Sequence, residues 1–305
     1  MRSTTQIAGS PGGRPNQRDP IMTTTSSQTQ FITTEGGRVA FEDTGGNGPA
    51  ILAIPGMGDL RSEYRLIRPA LQQAGYRVIT MDARGFGETS PTWSDFSARA
   101  VGRDAVAVLK HLGVGPATIM GNSFAAGSAL WAAEDAPAMV NGVVLLGPIV
   151  RDLEPSFIQK LSLKIGFAGP WNVGFWTIYW NSLFPANKPA DHDEVKAAIT
   201  RNLREPGRMA ALVAMLSLSK ADTAAILDQT NVPALIVMGT RDPNFTDAVE
   251  EARMLAGKLK AETIIVDGAG HYPHAEMPEL VAPKLLSFLG GLKGNGSKAG
   301  LRAVA

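Results

Sequence analysis

Ser123, Asp242 and His271 are the residues of this 305-residue chain whose types and surroundings best suit joint chemistry. Ser123 lies in Gly121-Asn122-Ser123-Phe124-Ala125, after an apolar run from Ala117 to Met120 and before the small residues Ala126 to Ala129. The pattern predicts a buried strand, a very sharp turn and a helix, with the serine at the apex. There a hydroxyl is pushed out of the backbone, and the helix behind it aims amide N–H groups at whatever binds in front. The residues two before and two after must be small, because the backbone approaches itself closely, and Gly121 and Ala125 meet that need. A plainer reading is a strand-to-helix turn with Ser123 as helix N-cap.

A serine hydroxyl is a poor nucleophile at neutral pH. It needs a base within hydrogen-bond reach, and the base needs a partner that fixes its tautomer. His271, in Gly268-Ala269-Gly270-His271 after the last predicted strand, is the best base. Asp242 is the best orienting acid: it ends a strand, Pro243 turns the chain there, and one helix and one strand fit between it and His271. Asp267 is expected to face away or cap its turn. His274 is expected at a helix start or rim, and His192, among Asp191, Asp193 and Glu194, at a solvated helix start. His111 falls in the last turn of a helix, where the dipole favours a cation, and reads as structural.

The Gly121–Ala125 stretch resembles the nucleophile elbow of the α/β-hydrolase family, and the similarity spans roughly residues 31 to 290. It implies the chain order serine, acid, histidine, which Ser123, Asp242 and His271 follow. Asp152 is the runner-up acid, because some family members place it after the preceding strand. The resemblance also implies two oxyanion donors, the backbone N–H groups of Phe124 and, from the loop Pro55-Gly56-Met57-Gly58, of Met57. Many members have His-Gly where this chain has Pro55-Gly56, so side-chain bonds made by that histidine are missing. The turn Asp82-Ala83-Arg84-Gly85-Phe86-Gly87 resembles another family segment, and its expected role is to tie down a loop.

Positioning these groups requires a parallel, doubly wound sheet. A hairpin is predicted over Phe31–Thr44, turning at Gly36-Gly37. Buried strands follow at 50–54, 77–81, 117–120, 142–149, 234–238 and 262–266. Helices are expected over 60–74, 98–112 and 246–259, with a closing helix to Leu289. The expected domains are a leader over 1–30, an α/β core over 31–150 and 231–290, and a flexible tail over 291–305. Met22 is a second candidate initiator. Residues 151–230 carry no clear strand and hold Phe167, Trp171, Phe175, Trp176, Tyr179, Trp180 and Phe184. By resemblance they form a helical cap. Most of its aromatics are expected to bind the cap to the core, with Trp171, Trp176, Tyr179 and Trp180 as candidate pocket residues for a hydrophobic small-molecule substrate.

Charged residues at 19% and hydrophobic ones at 44% suit a globular chain, and a net charge of +1 offers no field for nucleic acid. The absence of cysteine excludes disulfides and thiolate nucleophiles, and fits a cytoplasmic protein. Four histidines lack metal-type spacing, no window is apolar enough to span a membrane, and no cofactor fingerprint appears. The expected activity is hydrolysis of a carboxylic ester or lactone through an acyl-serine. Two alternatives stand beside it. One is a C–C bond hydrolase of the meta-cleavage-product type, whose elbow Gly-Asn-Ser resembles; the other is a ligand sensor that retains the triad. Residue 123 is not aspartate, which argues against epoxide hydrolases and haloalkane dehalogenases. Perhydrolysis is open as a side reaction.

Overall fold

The computed structural model describes residues 28–153 and 157–300. Eight strands form one sheet: β1 (Gln30–Thr34), β2 (Gly37–Asp43), β3 (Ala50–Ile54), β4 (Arg77–Met81), β5 (Ala117–Asn122), β6 (Val140–Leu146), β7 (Ala234–Gly239) and β8 (Glu262–Val266). Their order is β1-β2-β4-β3-β5-β6-β7-β8. β1 and β2 pair antiparallel, as do β2 and β4, and every pair from β4 to β8 is parallel. The hairpin turns on Glu35 and Gly36, both at positive φ (41° and 87°), the twist that suits a two-residue hairpin loop.

The composition of each strand follows from its place. β3, β5 and β7 are buried at every residue, as central strands covered on both faces must be, whereas edge strand β8 alternates towards solvent. One face is covered by α2 (Ala98–His111), α3 (Ala125–Asp135) and α9 (Ala248–Leu259), through residues such as Val101, Leu130 and Leu255. The other is covered by α1 (Arg68–Gln73) and α11 (Pro278–Gly300), through Leu71, Val281, Leu285 and Phe288. This is the α/β-hydrolase fold.

Two helices depart from the sequence reading. The single helix expected over 60–74 is a 3-10 turn, Arg61–Leu66, followed by α1. Pro69 lacks the N–H needed for one continuous α-helix and suits the first turn of a new one. The closing helix, expected to Leu289, runs to Gly300. Leu292 fills the space beside Gly142 on β6 and carries the helix through Gly290 and Gly291. Ahead of β1 the Thr29 hydroxyl accepts from Arg61 Nη2 at 2.7 Å and donates to Glu88 at 3.0 Å. The remainder of the leader and residues 301–305 lie outside the described residues.

Between β6 and β7 the chain leaves the sheet for five helices: α4 (Phe157–Phe167), α5 (Asn172–Ser182), α6 (His192–Leu203), α7 (Arg208–Leu216) and α8 (Ala221–Ile226). The Asp82–Ser90 turn is tied down by its own charges. Asp82 accepts the N–H groups of Arg61 (2.8 Å) and Glu88 (3.0 Å), and buried Arg84 grips Asp104 with two bonds of 2.6 and 2.9 Å. α10 (Pro273–Glu276) is the short helix after the last strand. Among the described residues no helix is long and apolar enough to cross a membrane.

Candidate active site

β5 runs into Ser123, whose φ of 57° is in the left-handed region. A non-glycine residue there is strained by roughly 1–2 kcal/mol, so the surroundings must hold it. They do so through the backbone: Ser123 N–H donates to Leu146 C=O at 2.8 Å, and Ile149 N–H donates to Ser123 C=O at 3.1 Å. Gly121 is required, since a Cβ there would lie 2.1 Å from the Ala125 carbonyl oxygen. The N-cap of α3 is Phe124 and no side chain caps it, so Ser123 does not spend its hydroxyl as a cap. Among the described residues, no protein acceptor takes the N–H of Phe124 or of Met57.

His271 Nδ1 lies 2.6 Å from Asp242 Oδ2, with both side chains buried. An Nδ1–H donated to that carboxylate leaves Nε2 free to act as a base. Asp242 Oδ1 accepts from the backbone N–H of Asn244 (3.0 Å) and from its Nδ2 (2.9 Å). The other two acids are occupied elsewhere: Asp152 accepts from Ser219 and the Lys220 N–H, and Asp267 accepts from Thr240. Ser123 and His271 each adjoin the end of β6. Leu146 binds the Ser123 N–H, and a Cβ on the next residue, Gly147, would sit 3.0 Å from His271 Nδ1. Asn122, the residue before the serine, donates to the His271 carbonyl at 3.2 Å, and Gly270 N–H donates to Glu276 Oε1 at 2.7 Å.

Two histidines differ from expectation. His274 is not at a rim; it is fully buried, stacked on Tyr64 with ring centroids 5.3 Å apart. His192 is not solvated; it stacks on Trp180 at 4.8 Å, because the helix it opens is laid over the aromatic cluster. His111 closes α2 as read, edge-on to Phe41.

The loop that bears Met57 lies directly on the elbow. A Cβ on Gly56 would meet Asn122 Oδ1 at 2.8 Å and Ser123 Cβ at 3.4 Å. Gly56 N–H donates to Glu63 Oε2 at 2.8 Å. Asp59, next along the loop, accepts from Leu60 N–H (2.7 Å) and from the Trp180 indole (3.1 Å). Burial pushes the carboxyls of Asp59 and Glu63 up, to about 7 and about 8, and pushes His274 down to about 3.

Of the four aromatics singled out in the sequence, three reach the site loops from α5. Trp176 packs on Gly58, and its buried indole N–H has no partner among the described residues. Tyr179 donates to Asn244 Oδ1 at 2.6 Å. Burial, with Asp242 nearby, raises the Tyr179 hydroxyl, so it stays a donor. Trp180 is fully committed to Asp59, His192 and Phe184 and acts as a fastener. Trp171 stands apart: it is 56% exposed and donates to Ile165 C=O at 3.1 Å, closing the turn between α4 and α5. Asn122, Asn244, Glu63 and Glu276 were not singled out in the sequence, although Asn122 adjoins the serine and Glu63 and Glu276 each adjoin a glycine loop in space. Among the described residues no cluster of His, Asp and Glu is placed to hold a metal ion.

Residues 51–284 match the model of the alpha/beta hydrolase family, and the chain belongs to that family. It is a hydrolase by fold and family. A 3-oxoadipate enol-lactonase 2 from Acinetobacter baylyi is 24% identical over 76% of this chain and 85% of its own length. A 2-hydroxy-6-oxononadienedioate/2-hydroxy-6-oxononatrienedioate hydrolase from a Pseudomonas species is 25% identical over 87% of this chain and 98% of its own. Among solved structures, a thermophilic esterase from Thermogutta terrifontis superposes with a TM-score of 0.72 at 24% identity, covering 87% of this chain and 99% of that one.

Proposed function

We propose that the protein is a serine hydrolase that cleaves a carboxylic ester or lactone of a hydrophobic small molecule through an acyl-serine intermediate. The observation that carries the reading is the buried 2.6 Å His271–Asp242 pair, with the His271 carbonyl bonded to Asn122, next to a serine held at positive φ at the head of a helix. In this mechanism Ser123 Oγ attacks the acyl carbon while His271 Nε2 takes its proton, and Asp242 holds the imidazole and stabilises its cation. The oxyanion is received by the N–H groups of Met57 and Phe124. The tetrahedral species collapses, the C–O bond to the leaving alcohol breaks, and that oxygen takes the proton from His271. Water then repeats the sequence on the acyl-serine, releasing the acid and the serine. The indole of Trp176 and the ring of Tyr179, beside the two loops, suit an apolar substrate with one polar end.

The C–C hydrolase reading is favoured by one observation, the similarity to the Pseudomonas hydrolase over nearly the whole of that protein. One experiment separates the readings. Wild type and Ser123→Ala are assayed on p-nitrophenyl esters of short and medium chain, on an enol-lactone, and on a coloured ring-cleavage dienoate. Ester or lactone turnover that vanishes in Ser123→Ala supports the proposal. Bleaching of the dienoate without ester turnover moves the assignment to C–C cleavage. Ester turnover that survives in Ser123→Ala removes Ser123 as nucleophile.

A further inference from the structure

Behind the loop that carries Met57 lies a set of buried ionisable groups for which the proposed reaction has no role. Glu63 sits in the 3-10 turn with its side chain 1% exposed. Its Oε2 accepts the Gly56 N–H at 2.8 Å, and its Oε1 lies 3.0 Å from His274 Nε2 on α10. Tyr64, which stacks on that histidine, donates to the Ile54 carbonyl at the end of β3 at 2.7 Å. The groups facing Glu63 come from every element around it. They are Asp59 from the loop, Tyr64 and Arg65 from its own turn, His271 and Tyr272 from the histidine loop, and His274 from α10. Arg65 is turned outward onto Asp191 at 2.5 Å. Among the described residues no lysine or arginine forms an ion pair with Glu63 or Asp59.

The Gly56–Met57 peptide is the unit this arrangement fixes. Asp59 N–H donates to the Gly56 carbonyl at 3.1 Å. Carbonyl and N–H of one planar trans peptide point in opposite directions, so holding that carbonyl directs the Met57 N–H the other way. Glu63 holds the preceding N–H, that of Gly56, and the absence of space for a Cβ at Gly56 leaves the loop no slack against Ser123. A carboxylate fixed at this spot would oppose the oxyanion, because in a dry interior like charges interact strongly. A carboxylic acid beside a neutral imidazole holds the same N–H without that opposition, and the upward displacement of Glu63 and downward displacement of His274 agree with it.

We propose, resting on the reading of Ser123 as nucleophile, that Glu63 is a positioning residue. From its place against His274 it clamps Gly56 and so aims the Met57 N–H at the oxyanion. Glu63→Leu deletes the clamp and Glu63→Gln keeps an acceptor oxygen that cannot ionise. The test measures p-nitrophenyl ester kinetics against pH, the rate at which a fluorophosphonate labels Ser123, and thermal melting of wild type and both variants. Glu63→Leu is expected to lose about tenfold or more in kcat and in labelling rate with KM little changed, since only a transition-state contact is disturbed. Glu63→Gln is expected to restore most of the rate, and to stay level above about pH 8 where wild type declines as Glu63 ionises. Labelling of Glu63→Leu at the wild-type rate overturns the inference, as does a Glu63→Gln profile that keeps the wild-type alkaline decline. Should Glu63→Leu fail to fold, the Glu63→Gln profile alone decides. Wild type that neither turns over nor is labelled removes the serine-hydrolase reading, and this inference with it.

Discussion

Tyr179 and Trp180 are neighbours on α5, yet they fasten opposite sides of the site. Tyr179 reaches the acid loop through Asn244, and Trp180 reaches the oxyanion loop through Asp59. The two loops are held by different chemistry. On the acid side one carboxylate, Asp242, is surrounded by donors: the backbone and side-chain N–H of Asn244 and the ring N–H of His271. On the oxyanion side two carboxyls, Asp59 and Glu63, are buried with few donors, and burial holds both well above the usual carboxylate range. The difference suits the proposed mechanism, in which a negative charge beside His271 helps an imidazolium form and one beside Met57 would repel an oxyanion. On the proposed mechanism a carboxylate is of use beside His271, and Glu63, with the Gly56 N–H as its donor, is the carboxyl that burial most disfavours as an anion.

The largest expected effect breaks the acid side outright. Asp242→Asn keeps the shape but favours the wrong imidazole tautomer, and should lower kcat on a p-nitrophenyl ester by about 10⁴-fold with the fold intact. Asn244→Ala removes one donor to Asp242 and frees Tyr179. A hydrogen bond to a charged group is worth about 1.5–3 kcal/mol, so steady-state kinetics should show kcat falling roughly ten- to a hundredfold.

The oxyanion side should declare itself in stability. Burial pushes the Glu63 carboxyl up from its ordinary 4.5 to about 8, so between those values the native state holds a proton the unfolded chain has lost. Stability contributed by this group therefore falls as pH rises through that window, by at most about 1.4 kcal/mol per unit. Asp59 acts in the same direction up to about pH 7. His274, lowered from 6.5 to about 3, acts oppositely and lowers stability as pH falls through that range. Denaturant melts of Glu63→Gln should accordingly lose less stability than wild type between pH 5 and 8 (roughly its unfolded-to-folded titration range). Tyr179→Phe should cost only about fivefold in kcat, the value of one neutral hydrogen bond of ~1 kcal/mol. Trp171→Ala should leave turnover within about twofold, because an exposed indole that closes a turn touches neither loop. A large loss in Trp171→Ala would mean that the helical insertion works as one unit, and the comparison between its two fasteners would have to be redrawn.

The order of elements and the pairing of Asp242 with His271 were legible because they rest on local signals: apolar runs that end in glycine loops, and polar residues just past strand ends. The helix over 60–74 was misread for a reason equally local, since the apolar spacing persisted across Pro69 while the backbone bonds could not. His192 and His274 depart from expectation for a different reason. Each sits among polar or turn-forming neighbours in sequence, and each is buried by a partner remote in the chain: His192 in the aromatic cluster with Trp180, Phe184 and Tyr272, and His274 between Tyr64 and Glu63.

By itself the sequence determined the parallel sheet, the sharp turn at Ser123 and the strand ends that carry Asp242 and His271, because strand burial and turn sterics act over a few residues. Only the tertiary structure decided which carboxyls are served by donors and which are left dry. Glu63 is an ordinary helix-turn glutamate until the Gly56 N–H and the His274 ring close around it. Desolvation depends on every group within several ångströms, and those groups come from two stretches far apart in the chain, 54–65 and 271–274.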